Sequence, residues 1–125
     1  MKTANVAEAV KSEHAVALLK QMYGENRVEE NAARYQLVAD GFAKEFGDKA
    51  FEFFSAPGRT EIGGNHTDHN HGKVLAGSVH LDCVAAAAPN GTHTVNLISE
   101  TYNQHLVIDL DDLAPTEKTT GTEPL

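Results

Sequence analysis

The first half of the chain repeats its apolar residues at the spacing of a helix. Val16, Leu19 and Tyr23 fall on one face, with Ala15, Leu18 and Met22 beside them, and Gly24 is placed to end the helix. A second stripe of Tyr35, Val38, Phe42 and Phe46 runs to Gly47. Both stripes read as core-facing surfaces, with a binding groove as the alternative. Ser12 or Thr3 suits the N-cap of the first helix and Asn31 that of the second. From Phe51 the period changes to two. Phe51, Phe53 and Ser55 oppose Glu52, Phe54 and Ala56 in a strand expected to end at Pro57. Lys73 to Val79 and Leu81 to Ala88 read as two further strands. The second is almost entirely small and apolar and is expected to be central. Asn90-Gly91 is a strong type I′ hairpin signal. Thr94 to Ser99 and Leu106 to Leu110 complete the set, the latter turning Leu106, Ile108 and Leu110 inward. Helices first and antiparallel strands afterwards predict an α+β domain.

Composition narrows the partners. Ten Lys and Arg against 18 Asp and Glu give a net charge of −8, which argues against nucleic acid, whose phosphates need clustered basic residues. No apolar run approaches the roughly 20 residues of a membrane span, and Lys2 is followed by no signal core. No membrane partner is therefore expected. Cys83 is the single cysteine, which suits a reducing cytoplasm and a buried apolar role in a strand. The residues after Leu113 are polar and rich in turn formers, reading as a linker or tail over 114–125.

Chemistry concentrates between the helical half and the strands. Ala56 to Gly72 interleaves Gly58, Gly63, Gly64 and Gly72 with Arg59, Glu61, His66, Asp68, His69 and His71. Glycines let backbone approach a ligand, and the polar groups can hydrogen-bond a polyol or compensate a phosphate. Asp68 and His66 are two apart, so an extended loop would aim them the same way. Arg59, set behind a Pro-Gly turn, carries a permanent forked charge suited to a phosphoryl oxygen or a forming alkoxide. The plainer alternatives are a surface pair of Arg59 with Glu61 and a turn-closing Asp68. The string from His66 to His71 also has the look of metal-ligand spacing, but a full ligand set would need residues from elsewhere. His80, His93 and His105 read as edge or surface residues, and the run Asp109 to Asp112 as a solvated strand end.

This segment resembles the galactokinase signature of the GHMP small-molecule kinases, in which a Pro-Gly-Arg turn leads into Gly-Glu-His-Thr-Asp-Tyr-Asn. Gly58-Arg59, Gly64, His66-Thr67-Asp68, Asn70 and Gly72 fall on the pattern in register, and Val74-Leu75 match the strand that follows. Glu61, Gly63, Asn65 and His69 depart from it, standing where the family has Asn, an aliphatic residue, Glu and Tyr. The resemblance runs weakly from about residue 27 and clearly from Phe53 to Leu113.

It implies the first part of a GHMP kinase N-terminal domain over 1–113, with 114–125 leading into further sequence. It also implies a catalytic role for Arg59 and substrate binding by Asn65, His66 and Asp68; on the ligand spacing above, no metal is expected in this chain. The activity implied is transfer of the γ-phosphate of MgATP to the C1 hydroxyl of galactose or a relative. Asn65 offers an uncharged acceptor where the family has a carboxylate, so its hydrogen bond to the sugar is expected to be weaker. The 125 residues contain neither Gly-x-x-x-x-Gly-Lys-Thr nor the family's own phosphate loop, so this chain alone is expected to be inactive. Alternatives are a non-catalytic sugar sensor on the same scaffold and a small metal-binding module. An isolated kinase lobe is further expected to expose apolar surface and form a homodimer.

Overall fold

A computed structural model describes residues 5–64 and 71–112. The chain divides into two compact units, Met1–Pro89 and Asn90–Leu125. The first opens with a single turn, α1 (Val6–Ala9), followed by α2 (Glu13–Tyr23), a 3₁₀ turn (Glu25–Arg27) and α3 (Val28–Phe46). Ser12 caps α2, its Oγ accepting from the Ala15 amide at 3.3 Å. Gly24 and Gly47 close α2 and α3 at φ of 86° and 78°, a conformation that side-chain-bearing residues rarely adopt. Glu29 and Glu30 in the first turn of α3 and Lys44 in its last complement the helix dipole.

Asn31 does not cap α3. The 3₁₀ turn runs directly into the helix, placing Asn31 inside it with 1% of its surface exposed. Its Nδ2 donates to the Arg27 carbonyl at 2.8 Å, so the buried amide is satisfied one turn back.

Two long strands complete this unit. β1 (Glu52–Gly63) pairs antiparallel with β2 (Leu75–Ala87) from Glu52↔Ala87 to Gly63↔Leu75. The expectation that β1 ends at Pro57 is corrected: the strand continues to Gly63. Proline withholds one ladder donor, and the ladder absorbs that loss with a register shift between Pro57 and Arg59. The two strands expected on either side of His80 are one strand, whose extended backbone carries the exposed His80 through the irregularity.

The core lies where α1 and α3 meet the start of this ribbon. Val6, Ala39, Phe42 and Phe51 are buried together, with Val10, Phe46, Phe53, Ala86 and Ala88 packed against them. Phe42, Phe51, Phe53 and Tyr35 form a chain of ring contacts at 4.9 to 5.2 Å. Two of those contacts, Tyr35–Phe53 and Phe51–Phe53, are edge-on, the favoured sense for aromatic quadrupoles. Both helical stripes thus face the core as their spacing predicts, although Leu18 is half exposed.

The stretch Val84–Ala88 is not central. β2 has β1 as its only ladder partner among the described residues, and its burial alternates. Val84, Ala86 and Ala88 are half-buried while Ala85 and Ala87 are exposed. Cys83 is exposed as well, because it lies opposite Ala56 on the same alternation as Phe54 and Ala85.

The second unit is a hairpin of β3 (Thr94–Ser99) and β4 (Gln104–Asp109), in register from Thr94↔Asp109 to Ser99↔Gln104. Asn90-Gly91 does not make the expected two-residue hairpin, since β2 and β3 each pair elsewhere. The Asn90 side chain instead closes a local turn, accepting from the Thr92 amide at 2.9 Å and donating to the Thr94 carbonyl at 2.8 Å. Leu106 and Ile108 are half-buried as expected, whereas Leu110 lies past the strand and is exposed. Helices followed by antiparallel pairs agree with the α+β class.

Candidate functional site

Arg59 sits on β1 two residues beyond Pro57, opposite Ser78. Between Pro57↔Asp82 and Arg59↔Ser78 only Gly58 stands on β1 against Val79, His80 and Leu81 on β2. The irregularity is tight. A Cβ on Gly58 would lie 3.2 Å from the Leu81 carbonyl oxygen and 3.3 Å from Cγ2 of Val79. The Arg59 side chain is 75% exposed, and its ion pair to Glu61 is loose at 3.6 Å. An exposed pair of that length holds a guanidinium only weakly, so Arg59 is free to exchange Glu61 for a stronger anion. The surface pairing considered for Arg59 is therefore present.

At the far end of β1, Gly64 has φ of 80°. A Cβ there would come within 2.1 Å of the Lys73 carbonyl oxygen, so only glycine fits where the chain leaves β1. Asn65, His66 and Asp68, the residues expected to bind substrate, lie outside the described residues. They are bracketed by Gly64 on β1's end and His71, whose φ is 60°, on the approach to β2. Of the site residues of the sequence reading, the structure describes Arg59 alone, on β1.

His80, His93 and His105 are exposed, as expected. His93 has a partner the sequence did not suggest, Nδ1 lying 2.8 Å from Asp111 Oδ1. Among the described residues no three His, Cys, Asp or Glu side chains converge on a point where a metal could sit.

The sequence reading missed a buried polar cluster behind the ribbon. Asp82, with 4% of its side chain exposed, is its centre. Its carboxylate accepts hydrogen bonds from Tyr23 (2.6 Å), Ser55 and Arg34, and its carbonyl accepts a second bond from Arg34. Tyr23 commits its single proton to Asp82, so Tyr35 is the donor in the 3.2 Å contact between the two tyrosine hydroxyls. Arg34 also reaches Asn31 Oδ1 at 3.4 Å. Burial alone would push the Asp82 carboxyl up. The bonds from Ser55, Tyr23 and Arg34, with the charge of Arg34, outweigh it and hold the carboxyl below its ordinary value. Burial and the bond to Asp82 push the Tyr23 hydroxyl well above its usual range. One carboxylate thereby ties α2, α3, β1 and β2 together. The signal available in the sequence was a lone charge inside the apolar run Leu81-Asp82-Cys83-Val84.

Residues 40–89 match the galactokinase galactose-binding signature. The match begins in α3, takes in both long strands and their connection, and ends where the first compact unit ends. Over 89 residues the chain is 37% identical to a galactokinase of Lactococcus lactis subsp. cremoris, covering 69% of this chain and 22% of that protein. It is 36% identical over 95 residues to the galactokinase of Lactococcus lactis subsp. lactis, covering 75% and 24%. A galactokinase of Lacticaseibacillus casei is 36% identical over 73 residues, covering 58% and 19%. The chain thus spans about a fifth to a quarter of the length of the curated relatives it matches. No solved structure matches it. The chain carries the galactokinase galactose-binding signature on its β1–β2 ribbon, and over the residues that match it is a galactokinase-like sequence.

Proposed function

We propose that this chain supplies the sugar-binding side of a galactokinase-like phosphotransferase, which passes the γ-phosphate of MgATP to the C1 hydroxyl of galactose. The observation that carries the reading is the coincidence of the signature with a single ribbon. Its one exposed arginine, Arg59, precedes the connection that holds Asn65, His66 and Asp68. In this reading Asp68 and His66 hydrogen-bond neighbouring sugar hydroxyls, and Asn65 contributes an uncharged acceptor to a third. Arg59 compensates charge where the C1 oxygen meets the incoming phosphoryl group, the step on which phosphoryl transfer most depends. The 125 residues contain no Gly-rich phosphate cradle, so no role in nucleotide binding or as general base is assigned to them. The chain alone is accordingly expected neither to hold MgATP nor to turn over.

A chimera tests the reading. Residues 40–89 are exchanged for the matching segment of the Lactococcus lactis galactokinase, and galactose phosphorylation is followed by coupled ADP release. Activity that disappears with Asp68→Ala supports the assignment. A chimera that folds and binds ATP but does not phosphorylate galactose refutes it.

A further inference from the structure

Arg59 is the first paired residue beyond a break in its strand's ladder, so where its guanidinium is presented depends also on what fixes the two strands on the near side of that break. Between Pro57↔Asp82 and Arg59↔Ser78 the paired hydrogen bonding that holds a strand's rotation is interrupted. The last paired position before the break is Pro57↔Asp82, and Asp82 is the residue on which the buried cluster converges. Ser55, two residues before Pro57 on β1, bonds to the same carboxylate oxygen as Tyr23. Arg34 of α3 clamps both the side chain and the carbonyl of Asp82. Within the break Gly58 lies close against Leu81 and Val79, so the position of β2 just before Asp82 is transmitted across the ribbon to the residue that precedes Arg59.

We propose that Asp82 is a positioning residue for Arg59: by pinning β1 and β2 to the two long helices at the edge of the ladder break, it sets where the guanidinium is presented. Asp82 touches no ligand in this account. The inference rests on the role given above to Arg59 and extends it to residues other than Arg59, Asn65, His66 and Asp68.

The test uses the full chain, with galactose and galactose 1-phosphate as probes, in the wild type, Asp82→Asn and Ser55→Ala. Arg59 facing the phosphoryl group gives the wild type about a tenfold preference for the phosphorylated sugar, the worth of one charge-assisted contact. Asp82→Asn is expected to bring that preference to within about twofold of unity while galactose affinity itself changes by less than about twofold. Ser55→Ala should shift it part of the way. An unchanged preference in both variants overturns the proposal, as does a parallel weakening of both ligands, which a scaffold role alone would give. Should Asp82→Asn fail to fold, Ser55→Ala decides on the same ratio.

Amide hydrogen exchange separates this inference from the functional reading. If the wild type binds neither sugar, the functional reading fails. The positioning claim is then decided by exchange in the same variants. Acceleration confined to Gly58, Arg59 and Thr60 supports it, and acceleration spread equally over α3 overturns it.

Discussion

Replacing Asp82 by alanine removes the acceptor shared by two helices and a strand, and its cost follows from what each donor loses. Tyr23 is buried and keeps its contact with Tyr35, so losing the carboxylate costs about 1 kcal/mol. Ser55 is exposed and turns to water at little cost. Arg34 loses its counter-ion. A fully buried pair broken in this way costs about 3–5 kcal/mol, but the Arg34 side chain is 34% exposed and recovers part of its hydration, leaving about 2 kcal/mol. The sum is about 3 kcal/mol. The chain has no tryptophan, so urea unfolding is best followed by far-ultraviolet circular dichroism of the helices. Adding Arg34→Met to Asp82→Ala should cost less than the two single changes together, by about 1–2 kcal/mol, because the second change removes the stranded charge. The pH dependence has a definite sign. Asp82 is held below its ordinary value when folded, so its contribution is complete above the unfolded carboxyl's pKa and disappears as pH falls through the lower folded value. Asp82→Ala should therefore lose less stability on acidification than the wild type. A loss below about 1 kcal/mol at neutral pH, or an unchanged acid limb, would refute the clamp described here.

Gly64→Ala should destabilise the chain by about 1–3 kcal/mol in the same urea assay, since the new Cβ meets the Lys73 carbonyl and the backbone must leave φ of 80°. A neutral result would mean the strands part there without cost. Asn65→Glu, assayed in the 40–89 chimera, should tighten galactose binding by about 1 kcal/mol through a charge-assisted hydrogen bond, and a KM that rises or stays fixed would show that Asn65 does not face the sugar. Phe54, Ile62, Leu75 and Leu81 are all more than half exposed on the ribbon. Self-association is accordingly expected at micromolar concentration, most simply as a two-fold dimer; sedimentation giving a clean monomer would contradict it.

Much of the fold was legible because its signals are local. Ser12, Gly24 and Gly47 act as caps by chemistry confined to one turn, and the stripes ending at Tyr23 and Phe46 face the core their period indicates. The errors arose where long-range pairing decides. Pro57 looked like a strand end because proline withholds a donor, but a break in the opposite strand's register accommodates it. Asn90-Gly91 looked like a hairpin because the dipeptide fits one, yet β2 had already found β1 across a connection of eleven residues, 64–74. Cys83 and Val84–Ala88 were expected inside because apolar composition does not reveal that a ribbon is covered on one face only. The site's outline was visible in the density of Gly, Arg, His and Asp between 56 and 72. The cluster at Asp82 was not, since Tyr23, Arg34, Ser55 and Asp82 are far apart in sequence and no spacing links them.

The central claim, that this chain holds the sugar side of a galactokinase-like site, is tested most directly by saturation-transfer NMR on the 125-residue chain with galactose and with glucose, its C4 epimer. The account predicts transfer to galactose exceeding that to glucose, lost in Asp68→Ala and retained in Glu100→Ala, a change in the second unit. Equal transfer to both sugars, or a galactose signal that survives Asp68→Ala, would contradict it.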